Sequence, residues 1–432
     1  MERVLIKNLG DHLSQDVKVA GWMYNKRGSG KIYFLQLRDG TGTCQGVVEA
    51  SSVSPETLAA CEKLTMESSV KVSGKVTAHP KQKGVYELQV SNVEIIQLAD
   101  PEYPISKKEH GIDFLLDNRH LWLRSHRQWA IQRIRDTIIR GSMEYLHKND
   151  FVKFDSPILT PNACEGTTEL FEIDYFEMGK AYLSQSGQLY LEAAVMSLGK
   201  AYDFGPVFRA EKSKTRRHLT EFWMLDAEAA FADYQDNMNT QEGLIRHILT
   251  KVLAENFSDL MILERNIEAL EKANQPFIRK THAEVVKELQ AMGSDIKEMD
   301  DLGGDDETML MKKYEQPMFV TKYPTEIKAF YMKRDPEDPT RVLCSDLLAP
   351  EGYGEVIGGS QREDDYDKLL ERIREHKLPE DAFKWYLDLR KYGSVPHSGF
   401  GYGLERLVTW ICGLEHVRES IPFCRTPYRL TP

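Results

Sequence analysis

Phe208, Arg209, Ala210 and Glu211 are followed by a run of cations, Lys212, Lys214, Arg216, Arg217 and His218, and then by Glu221 and Phe222. Arginine offers a planar fork of donors that fits a phosphate oxygen. A cationic loop can close on outer phosphates, and an aromatic on the returning strand can lie against a flat base. Together these residues suit a nucleoside triphosphate. Far downstream, Gly399-Phe400-Gly401-Tyr402-Gly403 leads into Leu404-Glu405-Arg406, with three glycines at a strand-to-helix junction. Glycine lets backbone approach a flat ligand, and a helix start favours anionic groups. Arg406 and Phe222 could hold an adenine between them from opposite faces.

Two further stretches complete a site. Asp346 and Glu355 bracket a turn, and Gly358-Gly359-Ser360-Gln361-Arg362 follows. Paired carboxylates can hold Mg2+ against triphosphate oxygens, and Arg362 is then left for a substrate. Upstream, Glu165-Gly166-Thr167-Thr168 precedes Ser184-Gln185-Ser186-Gly187-Gln188-Leu189-Tyr190-Leu191-Glu192. Small hydroxyls, amides and acids on so short a segment could surround an amino group.

The elements that must position these residues fall into two sets. In residues 1–100, Val17–Tyr24, Tyr33–Leu37, Gln45–Glu49, Val70–Thr77 and Tyr86–Ile96 are short alternating or β-branched runs between Gly-rich turns. Ser54–Lys63 reads as a helix with Pro55 in its first turn. Five strands with a helix between the third and fourth fit an OB-type barrel. Pro101 and Pro104 mark a hinge over 101–120. From Leu121 to Asn149 an apolar period predicts a long amphipathic helix. Strands are expected at Tyr202–Arg209, Glu221–Ala230, Phe319–Thr321, Phe330–Lys333 and Arg341–Leu348, and helices include 187–198, 234–256, 305–314, 379–391 and 401–413. Strands that follow one another with helices outside give residues 121–432 an α+β fold on a largely antiparallel sheet. Residues from about 237 to 315 contain no readable motif.

Composition bounds the function. A net charge of −11 argues against non-specific coating of nucleic acid, and no DNA partner is expected. The first hundred residues are close to neutral, so nucleic-acid contact must be local, through patches such as Lys26, Arg27, Lys31 and the 212–218 loop. The six cysteines are scattered without metal-ligand spacing. The N-terminus lacks the apolar run of a signal peptide, and no stretch is long enough to span a membrane. Reduced thiols in a cytoplasmic protein are the expectation.

In this order the four stretches resemble the class II aminoacyl-tRNA synthetases, in the aspartyl, asparaginyl and lysyl subgroup with an N-terminal OB domain, over essentially the whole chain. Motif 1 is matched by about 125–159, motif 2 by about 203–230 and motif 3 by about 399–413. Arg119-His120-Leu121-Trp122-Leu123-Arg124-Ser125, Ser186-Gly187-Gln188-Leu189, Arg217-His218-Leu219-Thr220-Glu221-Phe222-Trp223-Met224 and Ile421-Pro422-Phe423 are most similar to the asparaginyl family. Aspartyl relatives carry a lysine where Leu191 stands here. A bound aspartate needs cationic partners, because an unpaired buried carboxylate is costly. A carboxamide needs one donor and one acceptor.

The resemblance implies ATP-dependent ligation of L-asparagine to tRNA(Asn) through an adenylate, by a homodimer joined through motif 1. It implies that Arg209 holds the amino-acid carboxylate and the α-phosphate, and that Glu211, Phe222 and Arg406 complete the ATP site. Arg217 and His218 are then expected on the outer phosphates, and Glu355 and Asp346 on Mg2+. The acids lie farther apart than in the aspartyl pattern, which makes Glu355 the firmer ligand. Glu165, Ser186 and Gln188 would take the α-amino group and Arg362 the carboxamide oxygen. Glu192 is the expected acceptor for the carboxamide NH2, with Glu165 and Glu228 as competitors. On the barrel, Phe34 and Trp22 offer stacking surfaces for anticodon bases, Gln45 an amide, and Lys26 and Arg27 phosphate contacts. Trp22 lies inside a strand, which favours the barrel core for it. The rival readings are an aspartyl enzyme of relaxed specificity, an asparagine synthetase built on the same core, and a non-catalytic tRNA-binding paralogue.

Overall fold

The computed structural model describes residues 2–105, 108–161, 169–213 and 215–432. The chain forms two compact units, Met1–Trp122 and Leu123–Pro432. In the first, β1 (Asp16–Ser29), β2 (Ile32–Arg38), β3 (Thr43–Glu49), β4 (Ser69–Ala78) and β5 (Tyr86–Gln97) close into a barrel in the order β1-β2-β3-β5-β4. Alternate residues point inward, so Val17, Val19, Met23, Leu35, Leu37, Val48, Val72 and Leu88 fill the interior. The helix Pro55–Lys63 sits between β3 and β4, its start fixed by Ser54, which accepts from the Thr57 amide. Residues 112–122 add two short helices to this unit.

The barrel overturns one expectation. Trp22 is 39% exposed, with the Arg38 guanidinium 5.0 Å from its ring centroid. Val17, Val19 and Met23 take the inward positions of β1, so the residue between Gly21 and Met23 must point out.

In the second unit the strands are β6 (Val152–Lys153), β7 (Leu159–Thr160), β8 (Glu172–Asp174), β9 (Lys180–Leu183), β10 (Lys200–Phe208) and β11 (Glu221–Ala230). They continue with β12 (Ile278–Thr281), β13 (Met318–Thr321), β14 (Cys344–Ala349), β15 (Gly354–Gln361) and β16 (His397–Gly403). Eight of these form one sheet, ordered β12-β13-β14-β15-β16-β11-β10-β6, antiparallel from β13 through β10 with a parallel strand at each edge. β7, β9 and β8 make a separate small sheet.

The helices His126–Lys148, Tyr234–Glu255 and Leu404–Cys412 cover one face of the large sheet. Ile131, Ile134, Ile138, Leu244, Ile245, Ile248 and Leu407 pack there against Leu225, Ala227, Phe400 and Tyr402. The expected long helix from Leu121 is broken: Arg119–Trp122 ends, and Ser125, accepting from the Gln128 amide, caps a new helix. Phe330–Lys333 is not a strand. Only a single bridge, Met332 to Arg362, survives there, because Phe330 and Tyr331 are both buried in an apolar cluster with the helices Tyr366–Glu375 and Lys384–Lys391. The helix expected from 401 begins at Leu404, and the glycines before it belong to β16. Among the described residues no helix is long and apolar enough to cross a membrane. Cys44, Cys61, Cys344 and Cys412 are buried free thiols, and Cys424 is buried as well.

Candidate active site

The uncovered face of β11, β15 and β16 is the floor of the site. Register pairs Met224 with Gly403, Asp226 with Gly401 and Glu228 with Gly399, and pairs Gly401 in turn with Gly358. Cross-strand partners share a face. Phe400 and Tyr402 therefore enter the core, while the glycines that alternate with them open a trench that Asp226 of β11 lines. Substitution shows why they are glycines. A Cβ on Gly399 would lie 2.1 Å from the Glu228 carboxylate, and one on Gly401 would lie 2.4 Å from Asp226 Oδ1.

Above this floor is a cavity of about 870 Å³. Arg209, Arg362 and Arg406 all line it, together with Ser186, Gln188, Glu211, Arg217, His218, Phe222, Asp346 and Glu355. Residues drawn from positions 186 to 406 thus converge on one volume. Arg209 stands 5.6 Å from the Phe222 ring centroid and donates to the Gln185 carbonyl. Gly403 leaves one side of Phe222 open, since a Cβ there would touch its ring at 3.4 Å. Glu211, which lines the cavity, has a buried Oε1 acceptor with no hydrogen-bond partner among the described residues.

A carboxylate group stands at the other end. Arg406 Nη1 donates to Glu355 Oε2 at 3.2 Å. Both Glu355 and Asp346 lie within 4 Å of the point where a Gly358 side chain would begin, at 3.2 and 3.9 Å. Asp346 also pairs with Lys328 at 2.7 Å. Burial pushes the Asp346 carboxyl up to about 6, with Lys328 pulling against it and Glu355 adding to it. Arg217 is held away from this group: Nη1 donates to Glu307 at 2.6 Å, and Nη2 to Thr308 at 2.6 Å and to the Gly352 carbonyl at 2.9 Å. Burial and the Glu355 charge push Glu307 up to about 7. At the cavity rim, desolvation and Arg406 lower the His218 pKa.

The third part is a buried ionic cluster. Arg362 is 2% exposed, donates from Nε to Glu228 at 3.1 Å and from Nη1 to Ser360 at 2.8 Å, and lies 5.2 Å from the Tyr331 ring centroid. Burial, with the Glu192 charge, raises the Glu228 pKa against the pull of Arg362. Asp226 accepts from Ser186 Oγ at 3.0 Å and from the Gly187 amide at 2.9 Å. Glu192, like Glu228, does not line the cavity. It is fully buried and accepts from Gln188, Tyr386, Arg390 and His397. Glu165 lies outside the described residues.

Asp226, Glu307, Lys328 and Tyr331 also line the cavity, although the sequence assigned none of them a role. For Asp226 a signal existed: Phe222, Met224, Asp226 and Glu228 are alternate residues of one strand, so the face that holds Phe222 must hold Asp226. Glu307 had none, being one acid in the run Asp305-Asp306-Glu307 of a segment without motifs.

On the barrel, β1 and β2 pair Trp22 with Arg38, Asn25 with Gln36 and Arg27 with Phe34, while β3 sets Gln45 beside Gln36. Trp22, Arg27, Phe34 and Gln45 thus share the outer face. Lys26 does not. A bulge between Met23 and Asn25 shifts the phase of β1, Lys26 pairs with buried Leu35, and its Nζ donates to the Cys61 and Glu62 carbonyls at 3.0 and 2.9 Å. Gln45 donates to Glu87 at 2.7 Å.

An antiparallel sheet with arginines gathered over a glycine trench, in a chain that also folds a five-stranded barrel, is the architecture of a class II synthetase. Residues 111–427 match the family described as tRNA synthetases class II (D, K and N), and residues 17–96 match the OB-fold nucleic acid binding domain. The asparagine–tRNA ligase of Pelotomaculum thermopropionicum is 55% identical over 432 residues, covering 100% of both chains. That of Koribacter versatilis is 53% identical, covering 99% of this chain and 98% of its own. Among solved structures, asparaginyl-tRNA synthetase from Pyrococcus horikoshii complexed with asparaginyl-adenylate superposes with a TM-score of 0.96 at 45% identity, covering 100% of both chains. The Entamoeba histolytica enzyme with the same adenylate gives 0.90 at 31% identity, again over 100% of both. The chain belongs to the asparaginyl-tRNA synthetase family.

Proposed function

We propose that this chain joins L-asparagine to tRNA(Asn) in two steps, through asparaginyl-adenylate, releasing pyrophosphate and then AMP. The observation that carries this reading is the convergence of Arg209, Arg362 and Arg406 on one cavity. In the first step the asparagine carboxylate attacks the α-phosphorus of ATP in line. Positioning and charge neutralisation do most of the work, and no side-chain nucleophile is needed. Arg209 holds the carboxylate and the α-phosphate. The adenine lies between Phe222 and Arg406, with Glu211 accepting from a ligand N–H. His218 and Arg217 serve the outer phosphates, which for Arg217 requires release from Glu307.

The donor set also fits Mg2+. Among the described residues no three acids, histidines or cysteines form a metal cluster, but Mg2+ needs only one or two carboxylates when phosphates and water supply the rest. Glu355 and Asp346 face each other across Gly358 and would hold it. When bound, it would neutralise charge on the triphosphate.

Arg362 donates to the carboxamide oxygen. Of the three glutamates considered for the NH2 group, Glu228 lies directly against Arg362, whereas Glu192 is occupied by four donors. A carboxylate at that point repels aspartate, and a site built on substrate polar groups can discriminate by about 10⁴–10⁵ without editing. Ser186 and Gln188 face the α-amino group, a role also assigned to Glu165. In the second step the 3′-hydroxyl of the terminal adenosine attacks the adenylate carbonyl. The barrel, residues 1–100, reads the anticodon through Phe34, Trp22, Arg27 and Gln45, and residues 101–120 link it to the catalytic part. Pairing of two chains through motif 1 and a cytoplasmic location complete the reading.

The test is ATP–pyrophosphate exchange with asparagine and aspartate in parallel. Exchange with asparagine alone is expected. Exchange with aspartate alone would overturn the assignment, and exchange with neither would favour a non-catalytic paralogue.

A further inference from the structure

Glu192 accepts from four side chains, yet it does not line the cavity. It sits one helical turn beyond Gln188 on the helix Gln188–Leu198. Its Oε2 accepts from Arg390 Nη2 at 2.6 Å and from His397 Nε2 at 3.0 Å, and Tyr386 Oη donates into the carboxylate at 2.7 Å. Its Oε1 accepts from Gln188 Nε2 at 3.1 Å. Burial alone would raise its pKa, but Arg390 first, then His397 and Arg362, pull it below the usual carboxylate range.

An ionised carboxylate can only accept. The Gln188 amide must therefore turn its NH2 toward Glu192, which leaves its carbonyl oxygen on the side of the cavity that Gln188 lines. We propose that Glu192 is a positioning residue whose role is to fix this amide orientation, so that Gln188 presents an acceptor, never a donor, to the α-ammonium group of the amino acid. The proposal rests on the asparagine-activating reading given above. It also separates two duties among the buried acids: Glu228 meets Arg362, while Glu192 sets the polarity of Gln188. The backbone N–H of Gln188 also donates to Ser186 Oγ at 3.0 Å, which helps fix the start of the helix that carries both Gln188 and Glu192.

Glu192→Gln is a sharp probe because Arg390, which can only donate, dictates how the new amide must lie. Arg390 meets the Oε2 position, so the carbonyl oxygen of the substituted side chain is retained there and its NH2 falls opposite Gln188. Gln188 must then reverse and turn its own NH2 into the cavity. The measurement is asparagine-dependent exchange, with competition by succinamate, which keeps the carboxylate and carboxamide and lacks the α-amino group. In E192Q the KM for L-asparagine should rise roughly ten- to hundredfold, the range for loss of a hydrogen bond to a charged group, while the inhibition constant of succinamate and the KM for ATP stay near wild type. Gln188→Met, which leaves the Glu192 cluster intact, should collapse the same ratio of asparagine to succinamate affinity. The double variant should be no worse than either alone, because both act on one contact.

A succinamate ratio unchanged in Q188M, whether or not E192Q folds, overturns the proposal. So does an E192Q protein that melts earlier but keeps the wild-type ratio, since Glu192 would then only stabilise the fold. Absence of asparagine-dependent exchange in the wild-type chain would instead remove the functional reading itself.

Discussion

The outer face of the barrel and the floor of the cavity use similar residue types, aromatics, arginines, amides and acids, but hold them differently. On the barrel, Phe34 and Gln45 are half exposed, Trp22 and Arg27 are exposed, and Gln45 is held by a single acid. In the second unit Arg362, Glu228 and Glu192 are almost wholly buried, and Arg362 and Glu192 each have two or more polar partners. A partly solvated surface can adapt to unstacked bases, whose recognition depends on aromatic faces and on base edges. A desolvated site must have its donors and acceptors fixed beforehand, because any left unpaired costs free energy. The difference teaches where rigidity resides: the barrel offers a surface, whereas the sheet imposes a pattern.

The largest effect is expected at Arg362. Its removal by Arg362→Ala would strand Glu228 in the interior, costing about 3–5 kcal/mol of stability, and asparagine-dependent exchange should fall by at least about a thousandfold. Arg362→Lys separates the two consequences. It keeps a charge beside Glu228 but lacks the fork that serves Glu228 and Ser360 together, so a nearly wild-type melting temperature with roughly a hundredfold weaker exchange is expected. Near-normal exchange in the lysine variant would show that charge alone suffices there and that the site is less rigid than the contrast requires.

Much of this floor was legible as residue types before it was legible as a shape. Gly399, Gly401 and Gly403 stood out, yet they read as a junction rather than as alternate positions of a central strand. The period of two was present in the letters, and Phe400 and Tyr402 between them have the apolar character of the buried face. Gly354–Gln361 was obscured for a related reason. One of its faces is cavity floor beside the Glu355 and Asp346 carboxylates, and the other packs against Asn237 and Gln241 at Gly359, so small residues replace the alternation that marks a half-buried strand. Glu307 was beyond reach. Its position depends on how the helix Gly304–Met311 meets β15 and Arg217, and no local pattern encodes that meeting. On the barrel, a single extra residue near Tyr24 decides which of Lys26 and Arg27 faces outward, and bulges leave little trace in sequence.

Phe34 tests the other side of the comparison. Stacking on an aromatic is worth about 1–3 kcal/mol per base, so Phe34→Ala should lower kcat/KM for tRNA charging roughly ten- to hundredfold. Exchange with ATP and asparagine should be nearly unchanged, because no step of adenylate formation uses the barrel. An equal loss in both assays would remove Phe34 from the surface that reads the anticodon.

Glu307 allows the rigidity of the second unit to be tested by pH. Its carboxyl lies at about 7, raised from an ordinary 4.5 by burial and by Glu355. A carboxyl raised on folding binds its proton more tightly in the native chain than in the unfolded one. It therefore costs nothing below the unfolded value, and the cost grows as pH climbs toward the folded one. Glu307→Gln cannot titrate. Its stability relative to wild type should improve by roughly 1–3 kcal/mol between about pH 4.5 and about pH 8, on top of a constant loss from the weakened Arg217 contact. Thermal melts of both proteins across this interval measure the change, and a difference independent of pH would mean that Glu307 is ionised throughout in the free protein.

The smallest effect, at Lys26, makes the sharpest distinction on the barrel. Lys26 and Arg27 are neighbours in a basic stretch, and by charge alone either could meet a phosphate. Lys26 instead donates to the Cys61 and Glu62 carbonyls at the end of the helix Pro55–Lys63, where a cation complements the unpaired carbonyls and the helix dipole. Lys26→Ala should therefore cost about 0.3–1 kcal/mol of stability and change charging by no more than about twofold, whereas Arg27→Ala should weaken charging and reduce its salt dependence without affecting stability. If the two substitutions reduce tRNA charging equally and neither alters the melting temperature, the phase shift in β1 has no functional consequence, and the barrel's outer face is set by charge density rather than by register.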